Sequence, residues 1–297
     1  MPRTTKKKRA LILSGGGARG AYQAGVFKYL QESGYKPDIV CGTSVGAINA
    51  IGIASGMSAD KIIELWQNIE SKKIMHISFW KYFRDLLRRR LSPVADPAPL
   101  RSLLMQHIDL AHLKEETAAK VFVSAVDICT AEVRFFSNAE ITFDHLMASS
   151  AIPLVFPWQE LDGKFYWDGG LMANTPILPA MQAGATELLV VLLSPAGGVS
   201  MDVPQNRTQA LERVVELSLI GSYQNLRLRL EESEKGYRRL PNLFYTSKEN
   251  IKVLSIGPEE SLGIRSVMNF SSVQADQLIE KGYSEAQQQL EKQKWNL

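Results

Sequence analysis

Short apolar runs alternate along this chain with longer stretches in which apolar residues recur at helical spacing. Short runs bounded by turn residues are typical of buried strands, and the longer stretches are typical of amphipathic helices. The pattern predicts five strands, at 9–13 (RALIL), 38–42 (DIVCG), 120–126 (KVFVSAV), 132–136 (EVRFF) and 187–193 (ELLVVLL). Because strands alternate with helices, we predict an α/β fold in which helices cover a central sheet.

Two regions depart from this alternation. A helical insertion at about 58–116, interrupted by the segment SPVADPAP, separates the second strand from the third, and we expect it to cap an edge of the sheet. Residues 204–239 are charged and helical in pattern. A last helix is predicted over 272–292, with Ser271 or Ser272 as its N-cap.

The sequence contains no internal repeat and no low-complexity segment, so one elaborated domain is the simplest organisation. We expect a basic leader at 1–8 and a core at 9–200 that includes the insertion. A C-terminal helical extension at 201–297 is expected to pack on the same domain.

Composition narrows the class of protein. With 297 residues, of which 45% are hydrophobic, the chain is long enough for a substantial core. Its net charge of +3, from 34 basic and 31 acidic side chains, is too small to indicate a nucleic acid partner. The two cysteines, Cys41 and Cys129, form no CxxC pair, which argues against a zinc knuckle or a disulfide framework and fits a reducing compartment.

Two further features bear on location. The basic start is followed by a short apolar stretch, Ala10 to Leu13, before glycines interrupt it, so we expect no secretory signal. No run of about 18 apolar residues occurs, so we expect no membrane-spanning helix. The expected location is the cytoplasm, with peripheral contact to a membrane as the alternative.

A glycine run, LSGGGARGAYQAGV at 13–26, lies between the first strand and a helix. Consecutive glycines let backbone N–H groups converge, and the helix start adds positive potential, so the run is suited to binding a phosphate or a developing oxyanion. Arg19 would add a positive charge. Gly15, Gly17 and Gly20 match the GxGxxG spacing of a dinucleotide site, but the acidic residue expected about 20 positions later is missing. A dinucleotide site is therefore disfavoured, and a tight turn without further function is the other alternative.

Ser44 lies in GTSVG at 42–46, which follows a predicted strand and precedes a helix that is apolar nearly all round. Serine is a common helix N-cap, which is one interpretation of this residue. A cap does not need glycines on both sides, whereas Gly42 and Gly46 would relieve the crowding at the sharp strand-to-helix turn of a nucleophile elbow. The pattern G-x-S-x-G therefore favours a nucleophilic serine.

A serine nucleophile needs a base to accept its proton. Among the histidines, His145 could complete a triad with an acid such as Asp127, although it lies in an amphipathic helical pattern typical of a structural histidine. Asp168, in FYWDGGLMANTP at 165–176, follows a strand-like aromatic stretch and could act directly as the base if it reached Ser44. Asp-Gly is also common turn chemistry, so this segment by itself leaves both interpretations open.

Taken together, these segments resemble the patatin-like phospholipases, acyl hydrolases that share a fold with the catalytic domain of cytosolic phospholipase A2. That family shows a G-G-G-x-R-G loop, a G-x-S-x-G elbow and a D-G-G or D-G-A acid motif in this order. The chain has GGGARG at 15–20, GTSVG at 42–46 and DGG at 168–170. Two further stretches, SAVDICTAEVRFF and ASSAIPLVFPWQELDGKFYWDGGLMANTP, also look like the family. The resemblance covers about residues 9–193, and Ser14 stands where family members often carry glycine or aspartate.

The resemblance implies a three-layer α/β/α fold around a mixed, largely parallel sheet, with the helical insertion and C-terminal helices added. It implies hydrolysis of fatty-acyl esters of lipids, of the phospholipase A or lysophospholipase type, through an acyl-enzyme and without metal or cofactor. The residues implied are Ser44 as nucleophile, Asp168 as base, an oxyanion hole of Gly15, Gly16, Gly17 and Arg19, elbow glycines Gly42 and Gly46, and acid-motif glycines Gly169 and Gly170. The alternatives are an acyltransferase that uses the same acyl-enzyme and a non-catalytic module that binds phosphate or lipid.

A lipid hydrolase also needs a surface that meets lipid aggregates. The segment SFWKYFRDLLRRR at 78–90 mixes aromatic and basic side chains, which suits an anionic membrane interface. The same spacing fits the buried face of the insertion with its arginines in solvent, so both interpretations stand. The expected partner is a lipid or phospholipid, and no nucleic acid.

Overall fold

Two apolar cores lie on opposite faces of one sheet in the computed structural model. Leu11 and Leu13 of strand β1 (Arg9–Leu13) belong to one core, and Ala10 and Ile12 belong to the other, as the period of two in a strand requires. Helices cover both faces, which confirms the predicted three-layer α/β/α architecture. The structure describes residues 7–69, 76–77, 93–115, 118–196, 202–234, 251–293 and 295.

Ten strands are found among the described residues. They are β1, β2 (Ile39–Thr43), β3 (His76–Ile77), β4 (Ala95–Asp96), β5 (Lys120–Asp127), β6 (Glu132–Ser137), β7 (Gln159–Leu161), β8 (Lys164–Asp168), β9 (Glu187–Val191) and β10 (Lys252–Ile256). The main sheet has the order β10-β9-β1-β2-β5-β8-β7, with β6 also paired to β5, and β3 pairs with β4 separately. The first five strands in this order are parallel, and β6, β7 and β8 are antiparallel to their neighbours. The predicted mixed, largely parallel sheet is therefore confirmed.

Helices occupy most of the remaining described chain. They are α1 (Gly20–Glu32), α2 (Val45–Ala54), α3 (Ala59–Gln67), α4 (Ala98–His107), α5 (Phe143–Ser149), α6 (Gly170–Ala173), α7 (Ile177–Gln182), α8 (Arg207–Glu234) and α9 (Ser272–Lys292). Helix α9 has the predicted bounds, and the Ser271 hydroxyl caps it by accepting the Gln274 N–H. No helix in the described ranges is both long enough and apolar enough to cross a membrane.

The C-terminal residues differ from the expectation of a purely helical extension. Strand β10 lies there and pairs in parallel with β9 at the outer edge of the sheet. Only Leu254 and Ile256 of this strand are buried, because an edge strand packs less of its surface than a central one. Such a short and half-polar strand leaves a weak sequence pattern.

The predicted insertion is only partly described. Helix α3 packs against α1, and Leu100 and Leu104 of α4 reach the core beside α2. The segment 78–90, considered above for membrane contact, lies outside the described residues.

Strand β5 brings the ends of two other strands together. One hydrogen-bonding edge of β5 pairs with β6. Strands β2 and β8 therefore pair with successive parts of the other edge of β5. Strand β2 ends with Thr43 opposite Ser124, and the antiparallel β8 ends with Asp168 opposite Ala125. The carboxyl ends of β2 and β8 therefore meet at adjacent positions of β5, directly beside Ser44.

Candidate active site

Ser44 occupies a strained turn between β2 and α2. Its backbone has φ 55° and ψ −125°, a conformation that is costly for residues other than glycine and that is concentrated at functional sites. A side chain on Gly42 would collide with the carbonyl of Gly46, and one on Gly46 would collide with the carbonyl of Leu13. Both flanking glycines are therefore required by close backbone approach, as in a nucleophile elbow.

The Ser44 hydroxyl does not cap helix α2, because it accepts no N–H from the first turn of that helix. The side chain faces the Asp168 carboxylate instead, and its hydroxyl acts to lower the pKa of that group. The Ser44 N–H donates to the Oγ of Ser149 at 2.9 Å, which fixes the backbone of the turn. Ser44 and Asp168 are both buried, so the two side chains are largely shielded from water.

Asp168 is a buried carboxylate at the start of a glycine turn. Burial raises its pKa to about 6, although hydrogen bonds from the Ser44 hydroxyl and the Gly170 N–H act to lower it. The Gly170 N–H lies 2.7 Å from Oδ1, and a side chain on Gly169 would collide with Ser124. A carboxylate with a pKa in this range is a better proton acceptor than a surface aspartate and is still ionised at neutral pH.

The glycine run passes beside Ser44. A Cβ on Gly15 would lie 3.2 Å from the Cβ of Ser44. The Gly15 N–H donates to the carbonyl of Asn174 at 3.1 Å, which removes it from the expected oxyanion hole. No acceptor for the N–H groups of Gly16 and Gly17 is found among the described residues, and Gly17 lines the same cavity as Ser44. The amides of Gly16 and Gly17 are therefore available to donate to an anion.

Arg19 points in a different direction from the one expected. Its fully buried guanidinium donates to four groups at 2.7–3.2 Å: the hydroxyls of Ser266 and Ser194 and the carbonyls of Leu193 and Gly263. None of these groups belongs to the glycine run, Ser44 or Asp168. The geometry therefore does not support a direct contribution of the Arg19 charge to an oxyanion. The sequence could not show this, because a motif does not specify the direction of a long side chain.

The histidine triad considered from the sequence is not assembled. His145 Nδ1 lies 2.8 Å from the Thr142 hydroxyl, within a capping box at the start of α5. Asp127 accepts the N–H groups of Cys129 and Thr130 in the turn after β5. Both side chains are thus used in local structure, as the amphipathic pattern around His145 suggested.

An apolar cavity of about 100 Å³ extends from Ser44. Its walls include Ile48, Ile62, Trp66, Leu104, Phe156 and Phe270. This lining is suited to an apolar chain whose polar end reaches the Ser44 hydroxyl.

Residues 11–181, more than half of the chain, match the family model described as patatin-like phospholipase. The chain belongs to the patatin-like phospholipase family. The matched region includes the glycine run, Ser44 and Asp168, and it ends before β9. The family predicted from the three ordered motifs is confirmed.

Individual relatives of this patatin-like chain are similar over the same part. It is 32% identical over 187 residues to a cGAMP-activated phospholipase of Pseudomonas aeruginosa, and 28% identical over 192 residues to one of Escherichia coli. These matches cover 56% and 57% of this chain and 53% of each relative. Lysophospholipase nte1 of Aspergillus oryzae is 26% identical over 201 residues, which are 68% of this chain and 12% of that protein. The chain thus spans about half the length of the bacterial relatives and a small part of the fungal one.

Among solved structures, VipD from Legionella pneumophila resembles the patatin-like chain with a TM-score of 0.53. The sequences are 15% identical, and the match covers 97% of this chain and 67% of VipD. At this identity the likeness supports the fold alone.

Two side chains of the patatin-like site had no sequence signal of their own. Ser149 holds the Ser44 N–H, and the Asn174 amide donates to the carbonyls of Gly15 and Leu219 at 3.3 and 2.9 Å. Both residues lie in stretches that resemble the family, ASSAIP and MANTP. This resemblance was the only sequence feature that could have drawn attention to them. Neither residue type by itself indicates a role in holding the loop and the elbow.

Proposed function

We propose that this protein hydrolyses fatty-acyl esters of phospholipids or lysophospholipids, with Ser44 as nucleophile and Asp168 as general base. The observation that carries the proposal is the buried Asp168 carboxylate, which strand register places beside a strained elbow serine that opens on an apolar cavity. Family membership supports the same reaction, and the relatives named as phospholipases and lysophospholipases support the substrate class.

In the first half-reaction, Asp168 accepts the Ser44 proton while Oγ attacks the carbonyl carbon of the ester. The amides of Gly16 and Gly17 donate to the oxygen that becomes negative, and each such donor contributes roughly 3 kcal/mol in other acyl-transfer enzymes. The intermediate collapses by breaking the bond to the alcohol oxygen. Asp168 returns its proton to that oxygen, so the alcohol leaves neutral and an acyl-enzyme remains on Ser44.

In the second half-reaction, a water molecule takes the place of the departed alcohol. Asp168 accepts one proton from this water while its oxygen attacks the acyl carbon. Collapse of the second intermediate breaks the bond to Ser44 Oγ and returns the proton to it. The products are a fatty acid and the free enzyme, and no group other than Asp168 is needed to move protons.

The cavity predicts a preference for long acyl chains. Transfer of each methylene group from water to an apolar wall is worth about 0.8 kcal/mol, which corresponds to about a fourfold gain in kcat/KM if it is realised in the transition state. The gain should end when the chain reaches the end of the cavity. A polar headgroup has no comparable site in the cavity and would remain outside.

The test is fatty acid release from a panel of phospholipids, lysophospholipids and short-chain esters by the purified protein. Ser44→Ala is run beside it, and Ser55→Ala is the matched control, because Ser55 lies at the other end of the same helix and bonds the Gly52 carbonyl. Activity that disappears in Ser44→Ala and persists in Ser55→Ala is the expected result. Equal activity in all three proteins would contradict the proposal, as would transfer of the acyl group to an added alcohol with no release to water. A folded protein that binds lipid and releases no acyl group would favour a binding module.

A further inference from the structure

The segment at 261–270, outside the region matched by the family model, lies against the glycine run. A side chain on Gly17 would collide with the carbonyl of Val267. Further along this segment, Met268 and Phe270 line the cavity that extends from Ser44. The 261–270 segment therefore forms one wall of the acyl cavity next to the expected oxyanion donors.

Arg19 holds this wall from the side of the glycine run. Its Nε donates to the Ser266 hydroxyl at 2.7 Å, and its Nη2 donates to the Gly263 carbonyl at 2.9 Å. Its Nη1 donates to the Leu193 carbonyl and the Ser194 hydroxyl just beyond β9. One guanidinium thus joins the glycine run, the end of a central strand and the 261–270 segment, which is possible because its donors diverge in a rigid plane.

Helix α8 holds the same segment from another side. The carboxylate of Glu212 accepts the Ile264 N–H, and that of Glu216 accepts the Ser261 hydroxyl. Burial lowers the pKa of Arg19, and the charges of Glu216 and Glu212 oppose this and favour its charged form. A cation that is 0% exposed would be costly without such nearby charges. Arg19 and the two carboxylates each bind the 261–270 segment, and we call these contacts together the clamp.

We propose that Arg19 is a positioning residue that fixes the 261–270 segment as the wall of the acyl cavity, and that this segment limits the length of the acyl chain. The inference rests on the proposed function for the identity of the chain in the cavity, and on hydrogen bonds alone for the clamp. It differs from a role of Arg19 at the oxyanion, because its donors are taken up by the segment and by Leu193 and Ser194.

The clamp is tested without any activity by hydrogen exchange measured on peptides. Arg19→Met is compared with Arg265→Met, which removes an exposed arginine from the same segment. Exchange in the 261–270 segment should rise by about tenfold or more in Arg19→Met, while exchange in helix α9 stays at the wild-type rate. Arg265→Met should match the wild type in both regions. Unchanged exchange in the segment, or a rise that is equal in α9, would overturn the proposal.

Loss of a buried cation can prevent folding, so two milder variants accompany the first. Arg19→Lys keeps the positive charge that Glu212 and Glu216 favour but cannot make the same divergent bonds. Ser266→Ala removes one acceptor from the clamp and leaves Arg19 in place. Both should raise exchange in the 261–270 segment by a smaller factor than Arg19→Met, and normal exchange in both would count against the clamp.

The limit on chain length is tested with nitrophenyl esters from acetyl to hexadecanoyl. Met268→Trp enlarges a wall residue that is partly exposed, and Met105→Trp is the control, since Met105 is an exposed methionine of α4 outside the cavity lining. The ratio of kcat/KM on dodecanoyl to butanoyl ester should fall about tenfold or more in Met268→Trp, which narrows the cavity, and should rise in Arg19→Lys, which loosens the wall. It should stay unchanged in Met105→Trp.

The outcomes separate this inference from the proposed function. A fall by the same factor on every ester in Arg19→Lys would place its role at the reacting atoms and would refute the positioning role. An unchanged chain-length profile in Met268→Trp would refute the limit set by the segment. A wild-type protein that hydrolyses none of the esters would instead refute the proposed function, and the exchange experiment would still decide whether Arg19 holds the segment.

Discussion

Asp168 combines two properties that oppose each other. It must be ionised to accept the proton of Ser44, and it is buried where ionisation costs free energy. Burial raises its pKa from 3.8 to about 6, and this difference corresponds to about 3 kcal/mol between its two protonation states. The same burial that makes Asp168 a stronger base therefore makes the folded protein less stable at neutral pH.

The pH dependence of hydrolysis should report this pKa. We expect kcat/KM for a water-soluble ester to rise with pH through a midpoint near 6 and then to level off, because only the ionised carboxylate accepts a proton. Well below the midpoint the value should change about tenfold per pH unit. A profile that stays flat across pH 6 would show that another group is the base.

Asp168→Asn should separate stability from activity. Between pH 3.8 and about 6 the folded protein binds more protons at this residue than the unfolded chain does, so the wild type loses stability as pH rises through this window and does not regain it above. An amide carries no charge, so the variant should be more stable than the wild type by up to about 3 kcal/mol at pH 8 and about equal at pH 4, with no hydrolysis at either.

Denaturant unfolding at the two pH values measures this difference. Exposed Asp202→Asn is the control and should change the free energy of unfolding by less than about 0.5 kcal/mol. If Asp168→Asn shifts stability by the same amount at pH 4 and at pH 8, the burial of the charge is not its cause.

At the scale of elements, glycines permit contacts that side chains would block. Gly46 lets the start of α2 touch the end of β1, which places the elbow above the sheet. Gly25 and Gly282 do the same where α1 meets α9, since a side chain on either would collide with the backbone of the other helix. The site is therefore held by backbone packing between elements as much as by its own side chains.

Gly46→Ala should disrupt this arrangement. The added Cβ meets backbone atoms of Leu13 and Ser14, which cannot rotate away, so we expect a loss of about 1–3 kcal/mol in stability together with most of the activity. Gly221→Ala is the matched control, because its Cβ would meet nothing within 4 Å inside helix α8 and should stabilise the protein by about 1 kcal/mol. Thermal unfolding and ester hydrolysis measure both effects. A Gly46→Ala protein as active as the wild type would contradict the role of this contact.

At the scale of the whole molecule, the C-terminal residues complete the unit that carries the site. Strand β10 covers the edge of β9, and helix α9 packs along α1. The Tyr22 hydroxyl of α1 donates to the Glu285 carboxylate of α9 at 2.7 Å, and Arg19 binds groups beyond residue 260. The region recognised as patatin-like is thus not a separate structural unit in this chain.

A chain that ends at residue 200 should therefore fail to fold. It would expose the β9 edge and the buried face of α1, and it would leave the Arg19 cation without two of its acceptors. We expect insoluble protein, and solubility restored when residues 201–297 are produced as a separate fragment in the same cells. A soluble 1–200 chain with a cooperative unfolding transition would contradict this view.

The sequence by itself determined the local features of this protein. Apolar runs marked β1, β2, β5, β6 and β9, and helical spacing with a serine cap marked α9, because these patterns depend on neighbours within a few residues. Three ordered motifs determined the family, and glycines on both sides of Ser44 indicated an elbow because a tight backbone turn excludes other residues.

Only the tertiary structure decided how the distant parts combine. The meeting of Ser44 and Asp168 depends on the register of two strands along β5, and the pKa of Asp168 depends on everything that excludes water from it. The direction of Arg19 depends on a C-terminal segment far along the chain. These properties arise from contacts between residues that are remote in sequence, and no local pattern encodes such contacts.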